Sequence, residues 1–346
     1  MWSYIQNLSN IKFCGLVTNP RGIEVRELIG TNIWINDNKV LMKCPGIRDV
    51  TNPQTKEGQY LRAEFVWYMS GSLKTDFISM FGKMWSRLGN KFSEQNIYNE
   101  KINSNYGYHV FYKPAAENLT LLEEFDLDME NAKIPQFYWA KNELEKDRNS
   151  RKAILQYTWP LIYLPGVNDF TCTQTQHFMI RETYDGLEEL YNLVNIRSSD
   201  AIKGLTFDLP WWSFVGQYMA KLFGIENTPM KVSINSSHYY STDEALVDQL
   251  IQLNKSNSFR MTSLILREFS DMTLRIRSAV RFVKSYFNDK DLYGIFDKVK
   301  LLSESDPISA VMLLCNTIVN EERFKRVSRD VICEINNQIF DSVFKY

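Results

Sequence analysis

A chain of 346 residues is long enough for one domain of about 250 residues plus an appendage, because single cores rarely grow beyond that size. Its 40 basic and 41 acidic residues nearly cancel, so it lacks the electrostatic footprint of a nucleic-acid binder, and direct nucleic-acid binding is not expected. Cys14, Cys44, Cys172, Cys315 and Cys333 are odd in number, widely spaced and without a C-x-x-C pair; this argues against a disulfide framework and a metal site, while the absence of a signal-like N-terminus or long apolar run makes cytoplasmic location the expectation.

Residues 22 to 42 alternate loosely and read as strands turned at Gly30-Thr-Asn and Asn36-Asp-Asn. A helix is predicted over Tyr60 to Met69, with Glu64 at the edge of a face formed by Leu61, Phe65 and Tyr68, and another over Leu73 to Leu88. The acidic segment Pro114 to Asn131 reads as an insertion or a loosely attached helix, and helix returns over Gln136 to Lys146. Strands are predicted over Ala153 to Tyr163, Phe170 to Arg181 and Leu187 to Ile196, with a bulge or kink near Cys172, where the alternation fails. Pro210 is expected to open a helix that runs through Phe223. From Thr242 onward the pattern is helix throughout, with one apolar stripe from Met261 to Phe287, then helices over Asp289 to Leu302, Pro307 to Asn316 and Glu321 to Phe344. A stripe of that length must pack against the other helices, the core or a second subunit.

Three groups follow one another in a fixed order: Cys172 in Asp169-Phe-Thr-Cys-Thr-Gln-Thr175, Arg197 in Arg197-Ser-Ser-Asp200, and Asp208 in Gly204-Leu-Thr-Phe-Asp208. Together they suit chemistry on a pyrimidine nucleotide. A thiolate adds to C6 of the base, an arginine holds the phosphate, and a side chain with matching donors and acceptors reads the Watson–Crick edge. Two of them have ordinary alternatives: Cys172 as a structural cysteine on a half-apolar strand, and Asp208 as an acid favoured at a helix start. Glu64 is in turn either a helix-surface carboxylate or a general acid/base.

The order resembles the thymidylate synthase superfamily, and within it the phage deoxycytidylate hydroxymethylases. These carry a similar Asp-Phe-x-Cys-Thr-x-Thr run, an Ile-Asn-Ser-Asn-Tyr-Gly run like residues 102–107, and aspartate where the synthases carry asparagine. The resemblance runs from about residue 19 to 241. It implies an α/β fold of thymidylate synthase type, a mixed sheet with flanking helices and a homodimer formed back to back, extended by a helical C-terminal region; we expect a catalytic domain over 1–257 and the extension over 258–346.

By the same resemblance Cys172 is the nucleophile, Glu64 the acid/base that places water, and Asp208 the residue that selects cytosine, whose N4 donates and N3 accepts, over uracil. Tyr106 lines the pocket, while Arg197, Ser198, Asp200, His238 and Tyr240 bind the nucleotide. Arg151 and Lys152 reach across the dimer to the partner's phosphate, with Lys152 lacking the bidentate fork of an arginine. Arg21 is a candidate phosphate ligand, with a solvated turn arginine as the alternative. Glu64, Trp85, Asp200 and Phe207 match folate-side positions, although Lys203 stands where the family has an apolar residue. The implied reaction transfers a one-carbon unit from 5,10-methylenetetrahydrofolate to C5 of dCMP and adds water, giving 5-hydroxymethyl-dCMP. Methylation of dCMP, hydroxymethylation of dUMP or CMP, and a catalytically silent nucleotide-binding scaffold remain as alternatives.

Overall fold

The computed structural model describes residues 3–88, 102–115, 133–158, 169–287 and 290–346. Helix α1 (Tyr4–Cys14) is capped by the Ser3 hydroxyl. Strands β1 (Leu16–Thr18), β2 (Val25–Ile35), β3 (Lys39–Cys44) and β4 (Arg48–Asp49) follow, then α2 (Lys56–Ser70), α3 (Asp76–Ser79), α4 (Trp85–Leu88), α5 (Tyr106–Phe111) and α6 (Gln136–Lys146). Next come β5 (Ile154–Gln156), β6 (Thr173–Glu182), β7 (Glu188–Asp200), α7 (Leu205–Leu222), β8 (Met230–Tyr240) and α8 (Glu244–Lys255). The chain continues through β9 (Met261–Ser263), β10 (Ile265–Leu266), α9 (Phe269–Tyr286), α10 (Lys290–Ser305), α11 (Pro307–Asn320), α12 (Arg329–Val343) and β11 (Phe344–Lys345).

The main sheet has six strands in the order β1-β2-β8-β7-β6-β5. It is mixed: β7 and β8 are parallel, as a crossover through α7 requires, and the other neighbours are antiparallel. Alternation sends Phe178, Leu190, Val194, Val232 and Ile33 into the core on one face, while Met179, Tyr191, Leu193, Lys231 and Trp34 remain partly exposed on the other. This is the α/β architecture expected, with helices added at the C-terminal end. The expected irregularity near Cys172 is present as a register shift between Thr173 and Thr175.

Several expectations need correction. Gly30 does not turn the chain; β2 runs straight past it, and the glycine takes a φ of 68° inside the strand. The single helix expected over Leu73 to Leu88 is two short pieces, α3 and α4, separated by a turn at Gly82. Pro210 does not open its helix. The chain becomes helical at Leu205, and Pro210 lies within the second turn, where its missing N–H leaves the carbonyl four residues earlier without a helical donor. The C-terminal region is not helical throughout, since β9 adds to β3 and β10 pairs with β11. The apolar stripe begins on those short strands and becomes helix only at Phe269. The acidic segment expected as an insertion lies outside the described residues beyond Ala115, as does the end of the strand expected to reach Tyr163.

Helix α2 carries the candidate acid Glu64 and is buried along most of its length. The C-terminal helices α11 and α12 pack directly on it. Asn316 donates to the Ser70 carbonyl at 2.9 Å, and Ser72 donates to Asn320 at 2.9 Å. Phe65 sits between Phe214 of α7 and Phe340 and Phe344 of the C-terminal end, with ring centroids 5.1–5.5 Å apart. Buried Arg62 has no carboxylate partner; its two terminal nitrogens donate to the carbonyls of Val50, Gly58 and Thr51 and to the Tyr346 hydroxyl, while Nε is buried without an acceptor.

Candidate active site

The Asn-Tyr-Gly of residues 105–107 has local reasons for its composition. Asn105 caps α5 through the Tyr108 amide and donates its own amide to the carbonyls of Trp67 and Ser72. Gly107 lies so close to α2 that an added Cβ would stand 1.8 Å from the Tyr68 carbonyl oxygen. This contact brings Tyr68 and Tyr106 into a stack with centroids 5.4 Å apart. The same loop is tied to the Cys172 loop by buried Asp169. Its carboxylate accepts from the amides of Asn103 and Ser104 at 2.6 and 2.7 Å and from the Ser104 hydroxyl at 2.5 Å.

Cys172 is partly exposed immediately before β6. Arg197 of β7 faces it: the guanidinium donates to the carbonyls of Thr171 and Phe170 at 3.0 and 2.6 Å and approaches Cys172 Sγ at 3.6 Å. The Tyr106 hydroxyl accepts from the Thr173 amide at 3.3 Å, which sets it beside the cysteine. Burial pushes Tyr106 well above the usual phenol range, and the charges of Asp208 and Cys172 push it further in the same direction.

Asp208 lies in the first turn of α7 and keeps a partly accessible edge. Its carboxyl is pushed well above the usual carboxylate range by burial, with the negative charge of Glu64 adding to the effect. The phenols of Tyr60, Tyr68, Tyr106 and Tyr157 are raised chiefly by burial, and the Asp208 charge adds to the rise of each. Among the described residues no side chain hydrogen-bonds this carboxyl. Glu64, buried in α2, is raised to about 7 by desolvation, against which the hydroxyls of Tyr60 and Tyr68 hold it down. A cavity of about 10 Å³, the size that holds one water, is lined by Glu64, Tyr68, Phe207, Trp211, Phe340 and Phe344.

Of the positions expected on the folate side, Trp85 and Phe207 adjoin this acid. Trp85 donates its indole N–H to the Tyr60 hydroxyl at 2.9 Å, and Tyr60 donates to Glu64 Oε1 at 2.6 Å. Phe207 meets Tyr60 edge to face at 4.6 Å and receives the Arg48 guanidinium on its other contacts, 5.2 Å from the ring centroid. Asp200 Oδ1 accepts from the amides of Ile202 and Lys203, leaving Oδ2 without a described partner. A half-exposed aromatic ring and one uncommitted carboxylate oxygen fit a flat heterocycle with N–H donors. Trp85 fits such a group less directly, because it is buried and its N–H is already used.

Ser198 and Asp200 pair in register with Ser236 and His238, so these polar groups lead away from Arg197 along two parallel strands. Tyr240 continues the row, 5.7 Å from the His238 ring, with Lys203 Nζ above it at 5.5 Å. Arg21 falls in the 3-10 turn Pro20–Gly22 just before β2, whose Val25 pairs with Tyr240. Its side chain lies outside what the structure describes. Arg151 and Lys152 are exposed in the loop before β5. Since Ile154 pairs with His177, five residues along β6 from Cys172, that loop is roughly 17 Å or more from the thiol of its own chain. Sequence reasoning missed Tyr60 and Asp169 as parts of the site, although Asp169 lies inside the run that drew attention to Cys172.

The sequence pattern of the thymidylate synthase family, described as "Thymidylate synthase", matches residues 50–283. The chain belongs to the thymidylate synthase family. One-carbon transfer on a pyrimidine nucleotide is the chemistry this membership assigns, and the match extends past residue 257 into α9. No curated protein matches the chain. Among the described residues no group of three or more His, Cys, Asp or Glu side chains could hold a metal ion, and no helix is long and apolar enough to cross a membrane.

Proposed function

We propose that this member of the family is a deoxycytidylate 5-hydroxymethyltransferase, converting dCMP to 5-hydroxymethyl-dCMP. The observation that carries the reading is Asp208: a carboxyl held well above its ordinary range, beside Tyr106 and Glu64. In its neutral form it donates from O–H to cytosine N3 and accepts from N4–H through its carbonyl. Phage deoxycytidylate hydroxymethylases, which the site resembles, also carry aspartate there.

In this reading the Cys172 thiolate, favoured by the Arg197 guanidinium, adds to C6 of the base and moves an electron pair to C5. 5,10-Methylenetetrahydrofolate, as co-substrate, would supply the one-carbon unit at the methylene level and depart as tetrahydrofolate while C5 gives up its proton; addition of water to the exocyclic carbon then restores the C5–C6 double bond and expels the Cys172 thiolate. Phe207 and Asp200 would hold the folate heterocycle. Glu64, with a carboxyl near 7, exchanges protons close to neutral pH and positions the water that adds to the new exocyclic carbon, where a synthase would deliver hydride. Arg197, Ser198, His238 and Tyr240 would bind the phosphate and sugar. The partly exposed sheet face around Met179, Tyr191, Leu193 and Trp34 supports a second copy packed back to back, which would bring the partner's Arg151 and Lys152 within reach of the phosphate.

Incubating the protein with methylenetetrahydrofolate and each of dCMP, CMP and dUMP, with mass analysis of the products, tests the proposal. The expected product is dCMP heavier by one CH2O unit. Methylated dCMP or a product from dUMP alone would replace the reading by another reaction of the family.

A further inference from the structure

The hydrogen-bond chain that ends on Glu64 has only one polarity. An indole N–H is a donor only, so the Tyr60 oxygen accepts from Trp85 at 2.9 Å. The single Tyr60 proton is then left for Glu64 Oε1, 2.6 Å away. Phe207, edge to face at 4.6 Å, closes another side of the phenol. Oε1 of Glu64 thus accepts from Tyr60, and the Tyr68 hydroxyl is a second neutral donor to the same carboxyl.

We propose that Tyr60, oriented by Trp85, is a positioning residue that holds Glu64 through Oε1 and keeps the carboxyl able to ionise in a buried site. The inference deepens the functional reading above and rests on Glu64 being its acid/base. The groups facing Glu64 bear out the need for such a device. Tyr68 reaches it from its own helix and Asp208 faces it from α7 with like charge, whereas Leu61, Phe65, Leu264, Phe340 and Phe344 supply only apolar surface. No cation among the described residues pairs with Glu64, so neutral donors alone support its charged form.

The test titrates Glu64 without substrate. The carboxylic C=O stretch that disappears in Glu64→Gln is followed against pH in the full-length protein, in Tyr60→Phe and in Trp85→Phe. Tyr60→Phe removes one hydroxyl and should raise the midpoint by about one pH unit or more, because a hydrogen bond to the charged form is lost. Trp85→Phe keeps the Tyr60 hydroxyl but releases its orientation, and should raise the midpoint by less. The acid limb of the kcat pH profile should move with the spectroscopic midpoint. A midpoint in folded Tyr60→Phe equal to that of the unaltered protein would overturn the inference, as would a shift in Trp85→Phe larger than that in Tyr60→Phe. If the midpoints move as expected but the unaltered protein turns over none of the pyrimidine nucleotides, the role of Tyr60 stands and the functional reading falls.

Discussion

The Arg197 guanidinium lies 3.6 Å from Cys172 Sγ while it donates to the carbonyls of Thr171 and Phe170, so one side chain both shapes the cysteine loop and places positive charge at the thiol. A guanidinium at that distance favours thiolate over thiol. Replacing Arg197 with Met should slow alkylation of Cys172 by iodoacetamide about three- to tenfold at neutral pH, and Lys should restore part of the rate. Exposed Cys14 serves as the internal reference, read peptide by peptide by mass spectrometry. Equal Cys172-to-Cys14 ratios in all three proteins would remove Arg197 from thiol activation.

Cys172→Ala should abolish both turnover and exchange of the C5 hydrogen of the nucleotide, because each needs the bond from sulfur to C6. Exchange that persists at the original rate would take Cys172 out of the mechanism.

Asp208→Asn should move preference from cytosine toward uracil nucleotides. It exchanges a group that can ionise for an amide, which satisfies O4 and N3–H of uracil with one donor and one acceptor. We expect the ratio of kcat/KM for dCMP over dUMP to fall by about tenfold or more. An unchanged ratio would leave Asp208 as a helix-start acid.

Glu64 also ties the site to stability. Its folded carboxyl, at about 7, lies above the ordinary 4.5. Below pH 4.5 both folded and unfolded states hold the proton; as pH rises toward 7 the unfolded chain releases it first, so folding stability declines through this window. The carboxyl is buried in the folded state, and the decline is on the order of 3 kcal/mol. Asp208 acts in the same direction. In urea titrations, Glu64→Gln should therefore gain stability relative to the unaltered protein between pH 5 and pH 8. A difference that stays constant with pH would show that the carboxyl is not desolvated as described.

What the sequence offered was residue order: Cys172, Arg197 and Asp208 stand in a recognisable series, and the run 102–107 drew attention to Tyr106, whereas the Asn105 cap and the Gly107 contact emerge only where that loop meets α2. Tyr60 was not legible. Its role depends on Trp85, 25 residues later, in a segment whose periodicity suggested one continuous helix rather than the two short turns that bring the indole back. The short strands of the C-terminal region were hidden for a similar reason. Met261–Ser263 is too brief to show a period of two, and its partner, β3, lies more than 200 residues earlier. Pro210 marks no helix start here, because the preference of proline for the first turn does not exclude it from the second, and the chain is already helical from Leu205.

The C-terminal end links these observations, since Phe344 stacks edge to face on Phe65 and Phe214 and lines the cavity beside Glu64. Truncating it to Ala removes a side chain that is 1% exposed and should cost about 3–5 kcal/mol, read as a lower denaturant midpoint. The enlarged cavity adjoins a carboxyl and can admit further water. Because desolvation is the main cause raising Glu64, its titration midpoint should then fall from about 7 toward 4.5. Phe344→Leu leaves a smaller void and should do both to a lesser extent. Destabilisation with an unmoved Glu64 midpoint would mean that the C-terminal residues support the fold of α2 without governing the water around its acid.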